Sequence, residues 1–302
     1  MRERAQIRLL ADRRRLHLHD GPIDLIVEAM GATPEIDTAY RAAAERFVNV
    51  LDELCGELSL LRQPAQKGRQ LMAGVIARRM GAAVAPYSEW TFITPMAAVA
   101  GAVAEEILGV MTSAANLSRA YVNDGGDIAL HLGSGEYFVV GMVERPDRPS
   151  LFGTATLDSR QPVRGIATSG WRGRSFSLGI ADAVTVLADR AAMADAAATV
   201  IANAVDLPGH PSVTRVSARD LAPDSDLGDR LVTQGVGELS ASEVDAALDS
   251  GVACARRLLS DRLIRAAAVC LCGETRFVGS ALESNLVAGL QETRSSRSVI
   301  HA

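Results

Sequence analysis

The chain is poor in aromatic residues. Six Phe, four Tyr and two Trp make up only 4% of its 302 residues, while 48% are apolar overall, so Ala, Val and Leu must fill the core. Cysteine is scarce and scattered: Cys55, Cys254, Cys270 and Cys272 show no CxxC spacing and no neighbouring histidine. That excludes a cysteine metal knuckle and points to buried, reduced thiols. The five histidines form no metal signature either; His17 and His19 share a strand face, but no third ligand is close in sequence. A net charge of −5 gives no support for general nucleic-acid binding. Long apolar runs are missing too. The N-terminus lacks the apolar stretch of a signal peptide. The most apolar segment, TPMAAVAGAVAEEILGVM, carries Glu105 and Glu106 and ends too soon to span a bilayer. A cytoplasmic protein with neither a membrane nor a nucleic-acid partner is expected.

What is present is a mixture of two periodicities. Residues 5–29 alternate apolar and polar side chains around a DGP turn, the pattern of strands in tight hairpins. The arginines of MRERAQIRLLADRRRLHLHD fall in this alternation and read as a solvated strand face. From Asp37 to Leu61 the apolar spacing changes to three and four, predicting one amphipathic helix. Further helices are expected at Gln70–Ala83, after Pro95, at Arg190–Val205 and at Ser242–Leu259. RAYVND, GGDIALHL, GEYFVVGMV, FGTATL, VRGIATSG, AVTVLA, SVTRVSA, RLVTQGV and IRAAAVCLC read as strands. Runs of strands broken by runs of helices argue for an α+β fold rather than regular βαβ alternation. A single domain of two intertwined lobes is expected over residues 1–285, with a polar, loosely ordered tail at 286–302.

Three stretches suggest chemistry. In NDGGDIAL, Asp124, Gly125, Gly126 and Asp127 form a glycine turn that a simple hairpin also explains. In GIATSGWRGRSF, Thr168, Ser169 and Gly170 end a strand, where amides and small hydroxyls can cradle a phosphate, and Arg172 and Arg174 follow. Turn chemistry alone would produce the same residues. In MADAAATV, Asp195 stands among alanines with Thr199 four residues later, on the same helix face. Such a pair can offer two oxygen ligands to Mg²⁺. The alternative is a carboxylate that interacts with helix amides and the helix dipole.

These stretches resemble a known family. Ala183–Val200 is similar to the signature of the ApbE flavin transferases, close to S-V-T-V-I-A-P-D-A-M-L-A-D-A-L-A-T-A, without a gap. GIATSG resembles their S-V-A-T-S-G, AYVNDGGDIALHL their glycine-turn hairpin, and PMAAVAGAVAEE the start of their L-G-A-I-A-K-G-Y-A helix. All four occur in the right order. Through PMAAVAGAVAE, ADAVTVLA and SDLGDRLVT the chain is similar over nearly its whole length to uncharacterised protein family 0280, an ApbE-like branch. The resemblance implies an ApbE-like (T-fold-like) architecture of antiparallel sheets packed with helices. It places a metal on Asp195 and Thr199, and a cofactor against Asp124, Gly125, Gly126, Asp127, Thr168, Ser169 and Gly170, these segments meeting in one cleft. FAD or a related planar heterocycle, with Mg²⁺, is the implied ligand, and a small molecule and a second copy in a homodimer are the implied partners.

The departures bear on activity. The transferases carry a S-H-I-x-D-P-x-T-G loop after T-S-G, whereas here FSLGIADAVTV runs straight into the next strand, with Leu178 in the histidine's place. Gly101 stands where the transferases have lysine, and Asp182 is the remaining acid–base candidate. Three readings stay open: Mg²⁺-dependent chemistry on FAD (flavin transfer or pyrophosphate hydrolysis), another enzyme on this scaffold, or a non-catalytic flavin-binding or structural protein.

Overall fold

The computed structural model describes residues 5–68, 72–143, 151–279 and 299–301. Its residues separate into two units that alternate along the chain. Unit 1 comprises Met1–Phe138, Leu157–Ile166 and Asp189–Asp195, and unit 2 comprises Val139–Thr156, Ala167–Ala188 and Ala196–Ala302.

In unit 1, β1 (Gln6–Leu9), β2 (Arg15–Asp20) and β3 (Ile23–Met30) form an antiparallel meander. Leu25, Val27 and Ala29, at period two on β3, are all buried. The arginines of this hairpin are solvated, as expected, and pair locally: Arg15 with Asp12 at 2.6 Å and Arg14 with Glu28 at 2.5 Å. The helix expected over Asp37–Leu61 is instead three pieces, α1 (Thr33–Phe47), α2 (Val50–Gly56) and α3 (Leu58–Leu61). The breaks fall at Asn49 and after Gly56, residues that cost a helix interior free energy and that apolar spacing alone does not register.

After α4 (Val75–Val84), short 3-10 turns at Ala85–Tyr87 and Pro95–Ala98 lead into α5 (Val99–Ala114). By length and composition alone, Pro95–Ala114 could cross a membrane, with a mean hydropathy of 1.4. In unit 1 it is a core element, burying Ala102, Val103, Ile107 and Met111. β4 (Arg119–Asp124) and β5 (Asp127–Leu132) then extend the meander beside β3. Gly125 and Gly126 form their turn at φ of 64° and 112°, a left-handed pair that only glycine holds without strain.

β6 (Tyr137–Val143) and β7 (Leu151–Asp158), most of whose residues belong to unit 2, are neighbours. β8 (Gly165–Ser169) is followed by β9 (Ala183–Ala188), α6 (Ala191–Ala204), β10 (Val213–Ser217), α7 (Ala218–Leu221), β11 (Leu231–Val236), α8 (Ala241–Ser260) and β12 (Ala266–Leu271); of these, residues 165–166 and 191–195 belong to unit 1. Every residue of β9 and β12 is buried, which suits their unbroken apolar sequences. A capping box of Ser240 and Glu243 starts α8, and its Val244, Leu248, Val252 and Leu258 are buried.

β13 (Glu274–Val278) is a strand beyond those expected from the sequence. It pairs with β12 through a turn in which Cys272 and Gly273 take φ of 51° and 81°. Most of the tail expected to be loose, residues 286–298, lies outside the described residues, but Val299–His301 form β14, parallel to β6. The thiols also differ from expectation. Cys270 is buried, whereas Cys55 and Cys272 are exposed and Cys254 is intermediate, and no disulfide joins them among the described residues.

Candidate functional site

In unit 1 the structure brings Asp195 to the first turn of α5. The Gly101 amide donates to Asp195 Oδ2 at 3.0 Å, and the Ala100 amide adds a second bond. The carboxylate thus satisfies amides that α5 itself cannot pair, since α5 has no side-chain cap. The sequence leaves open which helix such a carboxylate would serve; the one it serves is α5, not its own.

Asp195 is only partly exposed. Burial drives its carboxyl up from the ordinary 3.8 to about 7; the Gly101 amide opposes the rise, and the charge of Asp124 adds to it. Asp124, at the end of β4, is itself buried. Two carboxylates from separate candidate motifs therefore interact within one unit. Beside Asp124, the hairpin's Gly126 amide is taken by Asn123 Oδ1 at 2.8 Å, so part of the glycine turn is satisfied internally.

The start of α6 is fixed from α5 as well. Glu105 Oε1 accepts from the Ala192 amide at 2.9 Å, and Glu105 Oε2 pairs with Arg190 at 2.7 Å and Arg79 at 3.0 Å. Glu106 pairs with Arg46 at 2.8 Å and Arg79 at 3.1 Å. Burial works against the Glu106 charge, but the two guanidiniums outweigh it and hold its carboxyl below the ordinary value.

Gly101, which the sequence singles out as a missing lysine, has a packing reason. A Cβ at this position would lie 2.4 Å from the Ala191 carbonyl oxygen and 2.8 Å from the Ala192 nitrogen, both backbone atoms. Gly101→Ala is accordingly expected to lower stability, as overpacking costs ~1–3 kcal/mol. Gly109, later on the same helix, has nothing within 4 Å of its would-be Cβ. Gly109→Ala should raise the melting temperature slightly through helix propensity, by ~0.5–1 kcal/mol. Thermal melts of the two variants should shift in opposite directions; equal shifts would reject the close approach.

Unit 2 holds the other candidates. Thr168 Oγ1 meets the hydroxyl of buried Thr185 at 2.9 Å. Gly170 is explained by close approach, because a Cβ there would sit 2.4 Å from the Asp182 carbonyl oxygen. Asp182 is buried and engaged on both oxygens: Oδ1 accepts from Arg172 Nε at 2.5 Å and Trp171 Nε1 at 3.2 Å, and Oδ2 from the Cys272 amide at 2.7 Å. Leu178 is held by its backbone, its amide donating to Asn203 Oδ1 at 2.9 Å and its carbonyl accepting from Arg215. Thr199 lies one turn beyond Asp195 on α6 and is partly exposed. Among the described residues no group of three or more His, Cys, Asp or Glu is placed to hold a metal. The residues that sequence reading passed over here are Ala100 and Gly101 as amide donors. A glycine opening an alanine-rich helix was the available sign of close backbone approach.

A protein-family model described as AbpE bacteria matches residues 7–277. Over 129 residues the chain is 40% identical to a UPF0280 protein of Methanopyrus kandleri, covering 42% of this chain and 48% of that protein. Over 122 residues it is 39% identical to a UPF0280 protein of Methanococcoides burtonii, covering 40% and 49%. The chain thus spans about half the length of the curated relatives it matches. Among solved structures, a mutant of the flavin transferase ApbE from Vibrio cholerae superposes with a TM-score of 0.50 at 12% identity, over 90% of this chain and 99% of that one. The α+β fold of mainly antiparallel strands is therefore of the ApbE type, as the sequence implied.

Proposed function

Since the chain belongs to the family described as AbpE bacteria, we propose that it binds a flavin or a related planar heterocycle, with a divalent cation at the Asp195 carboxylate. The observation that supports this reading is the interaction of the partly exposed Asp195 carboxyl with the buried Asp124. Asp124 raises the cost of charging Asp195, and a bound divalent cation would offset negative charge there. The donors suit Mg²⁺: hard carboxylate oxygens, with the Thr199 hydroxyl a turn further along α6. With so few protein ligands, the remaining positions would go to water or to phosphate oxygens, as Mg²⁺ prefers. When bound, the cation would supply charge neutralisation at a phosphate. The flavin part of the proposal draws on the solved relative, a flavin transferase.

Within this reading the chain's own residues have plain roles. The Gly101 and Ala100 amides orient the Asp195 carboxylate, and Glu105 fixes the helix start that carries it. Asp182, with both oxygens engaged, serves to position Arg172 and Trp171 rather than to move protons.

The test is calorimetric titration of chelator-treated protein with FAD, FMN and riboflavin, each with and without Mg²⁺. Mg²⁺-enhanced binding of FAD is the expected result. Absence of binding by all three, under either condition, would reject the proposal.

A further inference from the structure

The loop after β8, GWRGRSF, contains two arginines and no acid. Its geometry is set by a turn in which the Gly173 amide donates to the Gly170 carbonyl at 3.1 Å, leaving Trp171 and Arg172 as the two central residues. The Trp171 amide is anchored in turn on the Ala181 carbonyl at 3.0 Å. Arg172 is held in two ways. Its Nε donates to the buried Asp182 carboxylate at 2.5 Å, and its guanidinium carbon lies 4.3 Å from the centre of the Trp171 ring.

Both anchors leave the far end of the side chain unused. The Nη1 and Nη2 groups of Arg172 have no acceptor among the described residues, and a quarter of the side chain remains exposed to solvent. A salt bridge made only to neutralise Asp182 would put the Nη fork on the carboxylate, since the two-point arrangement is the stronger one. Here the acid takes only Nε, because its other oxygen is committed to the Cys272 amide. The result is a guanidinium with a stacked face, an Nε–H fixed on Asp182 and Nη donors with no acceptor among the described residues. Such a pre-oriented fork matches a tetrahedral oxyanion, and ordering it costs little further entropy.

We infer that Arg172 is the phosphate-recognising residue of unit 2, its Nη fork receiving the phosphate of a small ligand while Asp182 and Trp171 hold it in place. It concerns unit 2 alone and rests on the proposed function only in naming a flavin nucleotide as one source of the phosphate. The same chemistry would serve a flavin nucleotide or a free phosphate, and the experiment distinguishes the two.

The experiment measures thermal stabilisation and calorimetric binding of the full chain with potassium phosphate, against potassium chloride at matched ionic strength, and then with FMN and riboflavin. Arg172→Lys keeps a positive charge beside Asp182 but lacks the fork; Arg172→Gln removes the charge. Phosphate binding that falls ~10–100-fold in Arg172→Lys, with its melting temperature close to that of the parent, is the expected result. FMN binding more tightly than riboflavin, with competition by phosphate, would assign the anion to a flavin nucleotide. Phosphate binding with no response to either flavin would support the inference while rejecting the flavin reading. An unliganded chain indifferent to phosphate, or an Arg172→Lys variant that binds phosphate as the parent does, would overturn it.

Discussion

Replacing Asp195 with asparagine is expected to make the cation-free protein more heat-stable at about pH 8 and to abolish its response to Mg²⁺. The sign follows from proton linkage. The folded chain holds the Asp195 proton up to about pH 7, whereas the unfolded chain releases it near 3.8. The contribution of this group to stability is therefore fully present below about 3.8 and is lost as pH rises through about 7. Above that, the folded protein carries a desolvated charge beside Asp124. Asparagine has no such charge, and its side-chain carbonyl can still accept the Gly101 amide. Each pKa unit corresponds to ~1.4 kcal/mol. Allowing for the partial exposure of Asp195, a gain of ~1–3 kcal/mol is reasonable, or on the order of 2–10 °C. Melts of parent and Asp195→Asn from acid to mild alkali, with and without Mg²⁺, should show the parent's downward slope vanish in the variant. A variant that melts lower at alkaline pH and still gains stability from Mg²⁺ would remove Asp195 from the proposed cation site.

The second large effect is an expected absence of chemistry. Given FAD, Mg²⁺ and an acceptor domain with a target threonine, this chain should transfer FMN ~10²–10⁴-fold more slowly than a transferase that carries the histidine. The segment that would have to supply the missing acid–base group is closed. Leu178 is pinned through its amide and carbonyl, and a Cβ on Gly179 would lie 2.1 Å from the Ala202 carbonyl oxygen. Thr233 fixes the same stretch, its amide donating to the Ser177 carbonyl at 2.9 Å and its hydroxyl to the Gly179 carbonyl at 2.8 Å. Fluorescent acceptor formed at rates typical of a transferase would show that another group performs the proton transfer.

Much of the fold was legible because its strands and helices differ in period. AVTVLA became β9 residue for residue, and the helix expected from Arg190 to Val205 runs from Ala191 to Ala204. The failures were of another kind. The helix over Asp37–Leu61 broke where backbone preferences at Asn49 and Gly56 outweighed an apolar pattern that continues across them. β13 was missed because a Cys-Gly turn is less conspicuous than Asn-Gly, although both of its residues take positive φ. For the candidate site, the sequence pointed to Asp195 and to Asp124 but could not pair them, since 71 residues separate the two and only the fold brings their charges into interaction. Nor could it show that Asp182 is committed to Arg172, Trp171 and the Cys272 amide, because all three bonds depend on tertiary packing.

The contact of Gly101 with the backbone at Ala191 also constrains substitution. A lysine at position 101 could not be accommodated by that substitution alone. The first side-chain carbon would strike two backbone atoms that belong to the turn carrying Asp195. The beginning of α6 would have to move first, taking with it the Glu105–Ala192 bond and the amides now resting on Asp195. Position 101 and the start of α6 are therefore not independent: a side chain at one requires a shift of the other.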